Sequence, residues 1–438
     1  MKVLFLAVFF VGTSCAFAEK ESPAPAVPAE LSLAQALQLA VDHNPDLLLA
    51  STRFLDAEGK VLKLHAILYP TLDAQALTTP LTFYVQFQQT LYSHATFPQL
   101  RLSRLTREEA LINYRQTLSD VVFQVRQAFI AAQGAAAQEV LLRQANDLQQ
   151  KAVGSAKQFF DAGKIEKSAL SSIEVTASLA QQGIATAQLS ELQARLALSN
   201  LLGVRLPAAT RLTGALLDAA PAALDTDALT AQALRDRPDL KLLQSLQLSG
   251  EQQIEIDMKD AYPVIGISSD AAIQPPVFPG GSGFDLERNY DDPATQRVAG
   301  QTQLPFSLYA NWSIFDGGSR AGRKESAQAE LASQTVAIDE LRRSISREVA
   351  GAVAAITHAR NELELLGGGT PPEQMRKSAD LDFEAGYIRQ LDRVNLETAI
   401  AQQEQAHLAA QIQLNLALAA LDHALGRGLD SSPGLSSR

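Results

Sequence analysis

Long runs with apolar residues at spacings of three and four dominate the chain, and short runs that alternate every second residue interrupt them. The clearest long run is Phe383 to Gly426, which has no Gly or Pro between the turn at Ala385-Gly386-Tyr387 and Gly426. Leu414, Leu418, Leu421 and Leu425 mark its apolar stripe, a heptad-like pattern that predicts a helix stopped by Gly426. Phe160 to Gly203 repeats this run without a gap at an offset of 223, pairing Phe160 with Phe383, Gly163 with Gly386 and Gly203 with Gly426. A stripe of this length would stay exposed on a lone hairpin, so other elements must lie beside it.

Upstream, the spacing predicts a helix over 32–68, with Ser32 as N-cap, Ala36, Leu37, Ala40 and Val41 on its apolar face, and an interruption at Asn44-Pro45. Tyr69-Pro70 ends it. Two strands are expected next, 71–78 and 81–92. In the second, Phe83, Val85, Phe87 and Leu91 fall on one face, and Tyr84, Gln86, Gln88, Thr90 and Tyr92 on the other. From about 97 to 161 the pattern is helical again, a length of roughly 100 Å at about 1.5 Å per residue. The helices on either side of it are about half as long. Two half-length helices stacked end to end would flank one full-length helix, a long rod with strands at one end.

The same plan then restarts. Asn44-Pro45-Asp46-Leu47 corresponds to Arg237-Pro238-Asp239-Leu240, and Tyr69-Pro70 to Tyr262-Pro263, both at an offset of 193. After the strands the offset is 223, so the second copy carries 30 extra residues between its strands, in a Gly/Pro/Asp-rich stretch expected to form an exposed loop at about 275–303. In its outgoing strand, Phe306, Leu308, Ala310, Trp312 and Ile314 alternate with Ser307, Tyr309, Asn311 and Ser313. A helix from Ser319 is broken at Gly367-Gly368-Gly369-Thr370-Pro371-Pro372 and resumes to the Gly386 turn. The expected layout is a leader (1–18), a Pro/Ala-rich segment (19–30), a first repeat (31–203), a connector (204–227), a second repeat (228–426) and a polar tail (427–438).

Residues 1–18 read as a secretory signal peptide, with Lys2, an apolar core and Ala16-Phe17-Ala18 before Glu19. Cys15, the only cysteine, is either lost with the leader or acylated as in a lipoprotein; Gly12 stands where such signals usually carry Leu. With a formal net charge of −11 and no basic cluster, the chain is a poor nucleic-acid binder. The six histidines show no ligand spacing, and no catalytic constellation, metal site or cofactor loop is apparent. No later segment is apolar enough for a membrane helix, so a membrane crossing must use a β-barrel. Four strands cannot close one, but several chains could pool theirs. Phe83, Val85, Phe87, Phe306, Leu308 and Trp312 would then face lipid, and Gln86, Gln88, Ser307 and Asn311 a watery lumen.

The leader, the LSLAQALQLAVDHNPDL opening, the Tyr-Pro before the strands, the IFDGGSRAGR exit and both Ala-Gly turns closing in Leu-Gly together resemble the TolC-like outer membrane efflux protein family. The resemblance covers essentially the whole mature chain. It implies a mainly α fold: a homotrimer with a 12-stranded β-barrel in the outer membrane of a Gram-negative bacterium, continued by an α-helical barrel in the periplasm. It implies a passive, non-enzymatic exit channel for efflux or type I secretion, docked to a periplasmic adaptor protein and an inner-membrane pump that chooses the cargo. Asp161, Gly163, Lys164 and Ile165 at the first turn, with Gly386, Tyr387 and Ile388 at the second, are the implied docking positions. Asp392 matches the first of two aspartates that ring the family's constriction, and Asn395 stands in place of the second. The family's Tyr and Arg latch aligns with Phe383 and Ile388, leaving Arg389 and Arg393 as substitutes. The alternative is a soluble periplasmic coiled-coil scaffold or adaptor, which would show continuous heptads and no paired strands.

Overall fold

The computed structural model describes residues 27–78, 81–218, 224–273, 306–368 and 371–427. The leader, Cys15, the whole expected loop at 275–303 and the tail beyond Arg427 lie outside the described residues. The chain enters through β1 (Glu30–Ser32) and α1 (Leu33–His43). Ser32 caps α1 as expected: its hydroxyl accepts from the Gln35 N–H, and the Gln35 side chain accepts from the Ser32 N–H, a reciprocal capping box. Asn44 then breaks the helix and starts α2 (Pro45–His65). Its side-chain oxygen accepts from the N–H groups of Asp46 and Leu47, while Pro45 occupies the first turn, where no N–H is needed.

A hairpin of β2 (Thr71–Thr78) and β3 (Leu81–Tyr92) leads to α3 (Thr96–Asp161), 66 residues and about 100 Å long. Gly134 and Gly154 do not interrupt it. The chain returns through α4 (Lys167–Leu202) and crosses by β4 (Arg211–Thr213), which pairs in parallel with β1. Sequence reading treated both of these three-residue segments as irregular, because neither is long enough to show a period.

The second half repeats the order: α5 (Thr226–Asp236), α6 (Pro238–Asp257), β5 (Val264–Ile273), β6 (Phe306–Asn311), α7 (Ser319–Gly367), α8 (Pro372–Glu384) and α9 (Gln390–Ala424). The long second helix is broken into α7 and α8 at the Gly/Pro run. Here α2 and α4 pack along α3, and α6 and α9 pack along both α3 and α7. The half-length helices meet end to end. Gly203, with φ +66°, closes α4 against the His43 carbonyl, and Gly426, with φ +70°, closes α9 against Arg237.

Each joint sits on its own apolar cluster. Leu37, Leu47, Val122, Val125, Leu198 and Leu202 pack around the first, and Ile345, Val349, Ile356, Leu414, Leu421 and Leu425 around the second. Full burial of one such side chain contributes about 1.5–3 kcal/mol, so these clusters hold the stacked tiers together. The polar groups differ. Asn44 donates to the Leu201 carbonyl at 2.8 Å, whereas buried Arg237 at the second joint is held by Asp239 (2.6 Å) and Glu348. Burial opposes the Arg237 charge, but the two carboxylates outweigh it and hold its pKa above the usual arginine value.

A single antiparallel sheet, in the order β2-β3-β5-β6, caps the helices, with β3 paired to β5 across the two halves. Two expectations are corrected here. β6 ends at Asn311, so Trp312 lies just past the strand, where its indole N–H donates to the Ala261 carbonyl at 3.1 Å. A bulge between Thr90 and Tyr92 sets Tyr92 opposite Ile265, so strict alternation fails at the end of β3 and Tyr92 joins the Phe87 side.

A methyl group on Gly203 would lie 2.1 Å from the His43 carbonyl oxygen, while one on Gly154 would meet nothing within 4 Å. Gly203→Ala should therefore cost about 2 kcal/mol or more, and Gly154→Ala should gain about 0.5–1 kcal/mol. Thermal unfolding of the two variants in detergent checks the opposite signs.

Candidate functional site

At the end of the helices farthest from the sheet, two hairpin turns are built alike. α3 ends with Gly163 at φ +69°; the Gly163 N–H donates to the Phe160 carbonyl at 2.9 Å and the Lys164 N–H to the Phe159 carbonyl at 2.8 Å. α8 ends with Gly386 at φ +78°; its N–H donates to the Phe383 carbonyl at 3.1 Å, and the Tyr387 N–H to the Asp382 carbonyl at 2.8 Å. Both are Schellman closures, and the left-handed backbone at their centre is why a glycine stands there. The turns project outward. Asp161, Gly163, Lys164, Gly386 and Tyr387 are exposed, Tyr387 by 83% of its surface, while Ile165 and Ile388 are half-buried.

The two hairpins pack against each other just above the turns. Ala152, Ala156 and Ile173 of the first enclose Val394 of α9, with Ile165 against the same cluster. Gln149 donates to the Thr398 hydroxyl at 3.0 Å across the same contact.

Three arginines of the second hairpin are paired with acids within it. Asp392 accepts from the Arg389 backbone N–H at 3.2 Å and the Arg389 guanidinium at 3.1 Å, which caps the N-terminus of α9. The guanidinium bond, then the backbone bond, lower the Asp392 pKa against a small opposing desolvation. Arg393 bridges Asp380 at 2.6 Å and Glu397 at 3.4 Å and lies 5.0 Å over the Phe383 ring. Burial pushes the Glu397 pKa up; Arg393 pulls it back, and Asp380 adds to the rise. Arg376 pairs with Glu404 at 2.6 Å. The bonds of Arg389 and Arg393 therefore lie inside their own hairpin, and Asn395 is exposed. Sequence reading named Asp392 and Arg389 without pairing them, and it missed Asp380 and Glu404, which lie 13 and 28 residues from the arginines they bind.

At the other end, register places Leu72, Val85, Phe87, Ile267, Ser269, Phe306 and Leu308 on one face of the sheet. The Phe87 and Phe306 rings meet edge to face at 5.9 Å. Gln86, Gln88, Ser268, Ser307, Tyr309 and Asn311 share the other face, where Gln88 donates to the Tyr309 hydroxyl at 3.0 Å. Phe83 is in register with Ile273, on the Phe87 side; its side chain lies outside the described residues.

The described chain thus sets a four-stranded sheet, apolar on one face and polar on the other, on one helix of about 100 Å and the shorter helices stacked along it. The chain shares that fold with the outer-membrane channel OprN (TM-score 0.74, 17% identity, 90% of this chain and 89% of that one). It shares it also with the Campylobacter jejuni channel CmeC (TM-score 0.73, 13% identity, 90% and 86%) and with the open state of Neisseria gonorrhoeae MtrE (TM-score 0.71, 18% identity, 90% and 88%). No curated protein sequence matches the chain. The family model for outer membrane efflux proteins matches residues 229–427, almost the whole second repeat. Residues 229–427 are thus similar to the outer membrane efflux protein family, and the chain as a whole shares the fold of outer membrane channels.

Because the folded Asp392 pKa lies below its unfolded value, the cap it forms is fully present above about pH 3.9 and is lost as pH falls through the folded pKa. Asp392→Ala should speed amide exchange in the first turn of α9 at neutral pH, and acidification should do the same to the unsubstituted protein. Hydrogen exchange followed by mass spectrometry reads both effects.

Proposed function

We propose that three copies of the chain close into a passive exit duct that spans the outer membrane as a 12-stranded β-barrel and crosses the periplasm as a helical tube. The observation that carries this reading is the pair of unclosed edges. Among the described residues β2 and β6 each pair on one side only. In hydrocarbon every unpaired backbone group costs several kcal/mol, so such a sheet is tolerated in a membrane only when further strands complete it.

The helices support the same closure. Leu48, Leu55 and Leu62 of α2 recur every seven residues and are 53%, 64% and 73% exposed, and Val175, Leu179, Leu189, Leu192 and Leu196 continue an exposed apolar stripe on α4. Heptad spacing on an uncovered edge fits packing against a helix of another copy. Val85, Phe87, Phe306 and Leu308 then face lipid, with Trp312 at the boundary, and Gln86, Gln88, Ser307 and Asn311 face the lumen.

The hairpin turns form the periplasmic tip. Tyr387, an exposed aromatic beside Gly386, and the exposed Asp161 and Lys164 offer an adaptor its anchor points, and the adaptor links the duct to an inner-membrane pump. With Asn395 in place of a second aspartate and Arg389 bound to Asp392, the tip bears a weaker acidic ring than paired aspartates would make.

Replacing Leu48, Leu55 and Leu62 together by Gln should convert detergent-solubilised trimers to monomers, read by light scattering, with each lost burial worth about 1.5–3 kcal/mol. Monomers of the unsubstituted chain at micromolar concentration, or its recovery from soluble periplasm without detergent, would overturn the reading.

A further inference from the structure

Where strands give way to helices, the described surface is rich in exposed aromatics: Tyr69, Tyr92, Phe97, Tyr262, Trp312 and Phe315. Rings of this kind mark the level at which hydrocarbon meets water. Phe97, 67% exposed, sits at the start of α3, and Arg101 and Arg104 follow it at i+4 and i+7, on the same face of the helix. At about 1.5 Å per residue they lie about 6 and 10 Å beyond the Phe97 ring toward the periplasm. A polar headgroup layer is about 5–8 Å thick on each side of the hydrocarbon, and an arginine stem spans the remainder.

Both guanidinium groups are exposed and have no hydrogen-bond or ion-pair partner among the described residues. Lys259, three residues before Tyr262, and Lys63, six before Tyr69, are exposed and unpaired in the same way. Three further cations near this level are already neutralised, Arg107 by Glu58, Arg320 by Asp316 and Arg323 by Asp260, while Lys324 of α7 is exposed like the arginines. The first acid on the Phe97 stripe is Glu108, a further turn away. In a chain whose formal net charge is −11, unpaired cations held just below an aromatic belt need a negative partner in the membrane.

We infer that Arg101 and Arg104, with Lys259 and Lys63, form a collar that binds anionic phospholipid headgroups of the periplasmic leaflet. This rests on the membrane placement proposed above. An exposed phenylalanine is unfavourable in a water-filled lumen, so its ring assigns the Phe97 face of α3 to the lipid side. The collar fixes the depth of the barrel: the aromatics resist upward movement into the hydrocarbon and the bound headgroups resist downward movement out of it.

The test uses the purified full-length protein in bilayer discs of equal phosphatidylglycerol and phosphatidylcholine, with native mass spectrometry of the lipids retained after extraction. The unsubstituted protein should retain phosphatidylglycerol in excess. R101Q together with R104Q should lower that excess about tenfold while leaving insertion and thermal unfolding unchanged, because neither side chain has a protein partner. K377Q, which removes an exposed cation at the opposite end of the helices, should leave the excess intact. Equal retention of the two lipids, an excess that survives R101Q/R104Q, or its loss on adding millimolar inorganic phosphate alone would overturn the collar. Failure to enter either lipid would instead overturn the channel reading.

Discussion

Covering α3 is the constraint on which the rest of the structure depends. Its 66 residues carry apolar positions along a length that no ordinary helix can match. The chain meets this by stacking half-length helices: α2 with α4, and α6 with α9, both pairs running along α3. Stacking creates two interior helix ends in each pair, and an interior helix end exposes backbone groups that water would otherwise satisfy. Buried Asn44 and Arg237 and the left-handed glycines Gly203 and Gly426 stand at those ends for that reason.

The two joints share one geometry and use different chemistry. At the first, the neutral Asn44 side chain serves three backbone groups, two at the start of α2 and one at the end of α4. At the second, Arg237 holds the corresponding position and makes no side-chain cap, so its charge requires Asp239 and Glu348 beside it. A neutral amide is complete with backbone partners alone. A buried cation is stable only when carboxylates arrive from elsewhere, here one from α6 and one from α7. Duplication preserved the joint and let its polar filling diverge.

Away from the joints the chain divides its unfinished surfaces by solvent. Among the described residues the sheet leaves two strands open and an apolar face bare, and along the helices a leucine stripe is uncovered. At the turns the opposite holds: Arg389, Arg393 and Arg376 find acids within their own hairpin. Incompleteness where copies and lipid are available, and local satisfaction where the surface is wet, is the arrangement expected of a subunit rather than a finished molecule.

Much of this was legible in the chain. The Ser32 cap, the Asn44-Pro45 break, the strands, the Gly/Pro break after α7 and the Schellman glycines are local events, governed by neighbours a few residues apart, so spacing alone determines them. The gapless offset between the two hairpins likewise determined the duplication, and element lengths alone implied the stacking. Tertiary structure decided what depends on distant partners. The pairing of β1 with β4 joins residues about 180 positions apart, and each segment is too short to show a period. The bulge at Thr90 and the end of β6 before Trp312 follow from pairing with β5 and from the Ala261 carbonyl. The charge state of the tip rests on the same distinction. Sequence marked Arg389 and Asp392, three residues apart in one local cap, but only the folded hairpin brings Asp380 onto Arg393 and Glu404 onto Arg376, because those partners lie 13 and 28 residues away.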